Sequence, residues 1–222
     1  MTVLHLADEG EAADLAAFLS RLLHYDRGAA VRLQAAGTAL AVFGRPPSFE
    51  VLAVRAVRLA KPYENGLDVT LDVTVSAGEL LESVDEQAAT AVVPGAVTGP
   101  PWAGVLPPRG GWRPEPGLPA PDALRSLVTA VVAEFRSRTQ ELPSEQRTRA
   151  ELDRIGRDIW SRTVADTRLP VRAVHAAQSL GFLRPEVPLG LFSSGAWLRL
   201  RTPYGSIAVR RAGLGALDVS VR

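Results

Sequence analysis

Residues 94–122, PGAVTGPPWAGVLPPRGGWRPEPGLPAPD, hold nine of the seventeen prolines and two of the four tryptophans of the 222-residue chain. Proline fixes φ and donates no backbone hydrogen bond, so this stretch can supply neither a helix nor a central strand. It splits the chain into a front part (1–93), a Pro/Gly-rich belt (94–121) and a back part (122–222). The two outer parts become one domain if the last strands join the first sheet.

A segment of about 28 residues without regular structure is uncommon inside a domain; it is ordinarily a linker or a functional loop. Trp102, Val105, Leu106 and Trp112 argue against a wet linker, because burying one aromatic side chain is worth about 2–3 kcal/mol. The expectation is an ordered strap, pinned by its rings at the seam between sheet and helices. Arg109 and Arg113 flank Trp112. With Trp102 they form the first candidate site, a cation beside an aromatic face, which suits a small anionic or planar ligand or a protein partner.

Hydrophobic spacing supplies the rest of the layout. Leu15, Phe18, Leu19, Leu22 and Leu23 recur at helical spacing within 10–25, and Gly28 can end that helix. The period then becomes two at Val31 and Leu33, and again at Leu40 and Val42. Residues 49–60 are apolar on both faces apart from Arg55 and Arg58, as a central strand would be. Residues 67–75 (LDVTLDVTV) alternate apolar and polar side chains, one face for the core and one for water. Asn65-Gly66 between these two strands suits a hairpin turn. Ser76 and Glu79 form a capping box ahead of a short helix, and Thr90–Val93 reads as a further strand.

In the back part, Pro121-Asp122 opens a helix bearing Leu124, Leu127, Val128, Val131, Val132 and Phe135. Pro143-Ser144 opens a second, to about Asp166, with charge pairs at four-residue spacing on a solvated face. Pro170 opens a third, closed by Gly181, and strands follow over 196–201, 206–211 and 216–221. Strands and helices are segregated rather than alternating. The fold class is therefore α+β, an antiparallel sheet with segregated helices and a long Pro/Gly-rich ordered loop, not a doubly wound nucleotide fold.

The chemistry on offer is sparse. There is no cysteine, so disulfides, thiolate nucleophiles and cysteine zinc sites are excluded, in keeping with a reducing, cytoplasmic setting. The acidic start, MTVLHLADEGEAAD, has no signal-peptide form. The uncharged run 87–108 carries five prolines and three glycines, so it makes no spanning helix and no membrane partner is expected. His5, His24 and His175 have no metal-ligand spacing, and neither phosphate-binding glycine loop is present. GLFSSG (190–195) lacks the glycine two residues before a serine that a nucleophile elbow needs, so it reads as a turn entering a strand. Asp68 and Asp72 stand about 13 Å apart along one strand face, too far to act on one bond. Glu79, Glu82, Asp85 and Glu86 read as a solvated acidic face rather than a cation cage. No cofactor and no catalytic motif is implied, and a homo-oligomer is compatible with the chain.

The net charge of +1 hides an uneven distribution: residues 1–142 hold 12 basic and 17 acidic side chains, residues 143–222 hold 13 and 7. Two halves that attract each other account for this; a basic binding face in the back half is the sharper reading. Three helices and a hairpin over 122–211 have the order of a winged helix-turn-helix. Arg172, His175 and Ser179 would face a groove, and Arg199, Arg201, Arg210 and Arg211 would form a phosphate-reaching wing. The leading expectation is a non-catalytic binding protein. The alternatives are this DNA-binding module and an enzyme whose site only the fold assembles.

Overall fold

Three helices open on the same local chemistry, a short oxygen-bearing side chain three residues before a glutamate. In the computed structural model of the protein, which describes residues 2–46, 49–60 and 71–210, Asp8 accepts a hydrogen bond from the Glu11 amide at 2.8 Å and starts α1 (Glu9–Tyr25). Ser76 caps α2 (Ala77–Glu82) in the same way, as its S-x-x-E spacing predicts. α3 (Pro121–Glu141) opens on its proline. Thr148 caps α4 (Arg149–Ser161) by accepting from the Glu151 amide at 3.3 Å. α5 (Val171–Ser179) follows Pro170, and Gly181, with φ of +75°, turns the chain out of it.

The strands are β1 (Val3–His5), β2 (Ala30–Ala36), β3 (Ala39–Gly44), β4 (Leu52–Arg58), β5 (Asp72–Ser76), β6 (Thr90–Val92), β7 (Arg113–Glu115), β8 (Gly190–Ser194), β9 (Trp197–Thr202) and β10 (Gly205–Arg210). β1 and β6 pair alone. The others form one eight-stranded sheet in the order β5-β2-β3-β4-β10-β9-β8-β7. Every pairing in it is antiparallel, so the α+β class holds. The back strands do join the front sheet, through β10 against β4, with Ile207 opposite Ala53.

Side-chain alternation gives the sheet two unlike faces. One carries Val31, Leu33, Val42, Val57, Ile207 and Leu200 into the main core beneath the helices. The helices come very close there. A Cβ on Gly44 would lie 2.5 Å from Leu22 of α1, and one on Gly205 would lie 2.5 Å from the Phe182 ring. The opposite face has its own buried set, Phe43, Leu52, Val54 and Ala208, outside the main core.

The Pro/Gly strap runs over this second face. The Val97 amide donates to the Thr74 carbonyl at 2.9 Å, beside β5. Arg32 of β2 donates to the Ala103 carbonyl. At the far side Ser194 donates to the Gly110 carbonyl at 3.2 Å, and Trp112 lies over Arg199 of β9. The strap ends as β7, an edge strand against β8, where Pro114 costs no ladder bond on its open side. Its ring-bearing part therefore lies on the face opposite the helices rather than at the expected seam, and only its end, at Gly117 and Leu118, reaches the α4–α5 connection and the main core. The helix-side face is already filled by the stripes of the helices themselves.

Several local expectations need correction. β4 and β5 do not form a hairpin: β4 lies between β3 and β10, while β5 pairs with β2. β4 is buried along most of its length and takes a neighbour on each side, so the alternating strand is pushed to the sheet edge. Residues 61–70, with the Asn65-Gly66 turn, lie outside the described residues, as do Arg211 and the expected strand 216–221. The helix expected from Pro143 is a short 3-10 turn, Ser144–Gln146, and the helix proper restarts at the Thr148 cap. Residues 190–194 are themselves a strand, with the turn at Gly195. The charges of α4 are not merely solvated: Asp158 accepts from Arg138 of α3, and Arg162 reaches Glu134 at 2.7 Å, which ties α4 to α3.

Arg55, expected as an interruption of β4, is only 4% exposed. Its guanidinium donates to Glu11 at 3.0 Å, Asp14 at 3.2 Å and the Tyr204 carbonyl at 2.8 Å. Removing one partner of a buried ion pair strands the other charge. Arg55→Ala is therefore expected to cost about 3 kcal/mol in urea unfolding. Arg58→Ala, on an open side chain that meets Glu11 and Asp8, should leave the midpoint nearly unchanged. Equal losses would contradict the hub assigned to Arg55.

Candidate functional site

Aromatic side chains from four helices and the β3–β4 connection meet in one place. α1 ends on Tyr25, whose ring meets Phe49 edge-on at 5.4 Å in the β3–β4 connection. Phe49 meets His175 of α5 edge-on at 4.9 Å. His175 stacks on Trp160 of α4 at 4.6 Å with 24° between the planes, and Trp160 approaches Phe135 of α3 at 6.1 Å. These rings line a half-open cleft of about 950 Å³.

Helical spacing accounts for the convergence. Asp153, Gly156, Arg157 and Trp160 share one face of α4, and Arg172 and His175 share one face of α5. Glu50, at φ +51°, sits beside Phe49 at the rim. The wall therefore joins flat apolar surface to two cations and two carboxylates. The Arg172 Nε is buried without a hydrogen-bond partner. Burial pushes the His175 imidazole below its ordinary pKa, because desolvation penalises the charged ring.

The residues singled out in sequence fall in three places. Arg172 and His175 line the cleft, and Ser179 sits half-buried at the end of α5. Trp102 and Trp112 are half-buried in the strap, where Trp112 donates its indole N–H to the Pro108 carbonyl at 3.0 Å. Arg109 and Arg113 are exposed; Arg109 adds to the field that lowers the Asp72 pKa, which Arg32 dominates. Arg199, half-buried, and Arg201 and Arg210, exposed, lie on the strap face. The expected wing is not free to project. Its hairpin, β9–β10, is inside the sheet, flanked by β8 and β4.

The cleft itself was overlooked in sequence. One signal was there: Trp160 follows Ile159 on an otherwise charged helix and falls outside its buried stripe. A large ring beside the stripe rather than in it needs other cover. The convergence of acid and arginine at Arg55 is real but leaves space for about 10 Å³ only, less than a substrate needs. Among the described residues no cluster of His, Asp or Glu could hold a metal, and no helix is long and apolar enough to cross a membrane.

Two family models match the chain. Residues 1–104 are similar to a domain of unknown function (DUF8010) and residues 107–214 to another (DUF8185). The two matches meet inside the strap. No curated protein matches the chain.

Burial of His175 has a measurable consequence. The unfolded imidazole takes up a proton near pH 6.5. The folded one, held below that value, resists protonation. Stability is thus fully present above about pH 6.5 and falls as pH drops towards the folded pKa. His175→Phe keeps a ring against Trp160 and should flatten that fall in urea midpoints measured below about pH 6.5. Parallel wild-type and variant curves would contradict it.

Proposed function

We propose that this protein is a non-catalytic binding protein whose cleft takes a small planar molecule bearing an anionic group. The observation that carries the reading is the run of rings from Tyr25 to Phe135, broken at its polar edge by the unpartnered Arg172 Nε. Binding clefts commonly enclose about 300–1,000 Å³ and combine apolar walls with a few placed polar groups. A flat ring system gains contact against Trp160 and His175, and an anion satisfies the orphaned guanidinium. Glu50 and Asp153 at the same rim disfavour a polyanion such as nucleic acid. The embedded β9–β10 hairpin lends the DNA-binding alternative no support either.

Anilinonaphthalene sulfonate, a planar aromatic anion, is a direct probe. Saturable one-to-one binding is expected. Arg172→Gln should weaken it about tenfold, roughly 1.4 kcal/mol, while leaving the uncharged anilinonaphthalene unaffected. Gly156→Leu fills the cleft and should abolish binding of both. Unchanged titrations in both variants would refute the assignment.

A further inference from the structure

We propose a second, separate site on the strap face: an oxyanion site formed by Arg199 and Arg201 of β9 beside the Trp112 indole, which takes the phosphoryl group of a small molecule. The two arginines are two residues apart on one strand, so their side chains leave the same face with Cα atoms about 7 Å apart. Arg199 stands opposite Phe192 on β8 and Ala208 on β10, in an apolar row that leaves its guanidinium half-buried. Its Nε is fully shielded and has no hydrogen-bond partner. What it does meet is the Trp112 ring, 5.5 Å from the guanidinium carbon.

Several of the protein's arginines are compensated, whereas Arg199, like Arg172 of the cleft, is not. Arg55 has two carboxylates and a carbonyl, Arg32 has Asp72 and the Ala103 carbonyl, and Arg184 has Asp14 and the Tyr204 ring. Among the described residues neither the Arg199 nor the Arg201 side chain makes an ion pair or hydrogen bond. Desolvation lowers the Arg199 pKa, and the like charge of Arg201 adds to that. Two guanidinium forks held near each other at such a cost match a tetrahedral dianion, which can accept two bonds from each fork. The indole beside them offers a platform for a planar group carried by the same phosphate ester. Trp112 and the strap also stand over Arg199, which makes it a poor contact for the backbone of a duplex.

The test uses the full chain and inorganic phosphate, followed by tryptophan fluorescence at constant ionic strength set with sodium chloride. Saturable binding is expected, at least tenfold weaker in Arg199→Gln and in Arg201→Gln and unaltered in the cleft variant Arg172→Gln. Arg201 is exposed, so its variant tests the site even if replacing Arg199 harms folding. Absence of saturable binding in the wild type would overturn the proposal, as would equal affinity in Arg201→Gln. A short DNA duplex binding more tightly than phosphate through the same two arginines would also overturn the assignment to a small phosphoryl group.

Discussion

The antiparallel pairing of β10 with β4, sealed by the buried Arg55 guanidinium, is the contact on which the rest of the molecule depends. Without it there are two smaller sheets, each with an open edge. With it the ladder runs unbroken from β5 to β7. Arg55 also fixes what lies above the junction. Its acceptors come from α1 and from the β9–β10 turn, so one side chain holds helix, front sheet and back sheet together. Charges alternate outward from it: Arg184, Asp14, Arg55, Glu11, Arg58 and Asp8 form successive pairs. The outer pairs are open to water and add little. The inner ones act by leaving no buried charge alone.

Closing the sheet in this way leaves the two faces different problems. The helix face is filled by long apolar side chains, with Gly44 and Gly205 letting Leu22 and Phe182 approach the strands. Rings that cannot enter this layer collect at its end and form the cleft. The opposite face is only partly apolar, and a strap whose regular pieces are a 3-10 turn (Pro101–Gly104) and β7 runs over it. Peptide contacts at Thr74, Arg32 and Ser194 hold the strap in place, with its indoles only half-buried. Arg199 of β9 is left beside the Trp112 ring of the strap.

Much of the fold was legible because it is written locally. The helix starts at 9, 77, 121 and 171 follow from Asp8, Ser76, Pro121 and Pro170, and strand alternation marks β2, β3, β9 and β10. The helix expected from Pro143 begins instead at the Thr148-x-x-Glu151 cap, which is a stronger start signal than the proline. Strand order was not legible. Which edge β5 joins is decided by a competition among strands far apart in sequence, and a turn-like Asn-Gly pair cannot settle it. The same holds for the cleft. Tyr25, Phe49, Phe135, Trp160 and His175 are spread over the chain, and only the packing of four helices and the β3–β4 connection makes them neighbours. Arg172 and His175 were found in sequence for a different reason, as groove-reading side chains. The two do share a helix face, and in the structure that face lines the cleft.

Hydrogen exchange in urea, read together with tryptophan fluorescence, tests the junction most directly. All four tryptophans lie between residues 102 and 197, so fluorescence follows the back half alone. Amides of β2, β3 and β4 follow the front half. If β4–β10 pairing and Arg55 make one cooperative body, both signals change at one urea concentration in the wild type, and both move together in Arg55→Ala. Front-half amides that exchange while the fluorescence transition stays in place would show two independent bodies and contradict the account.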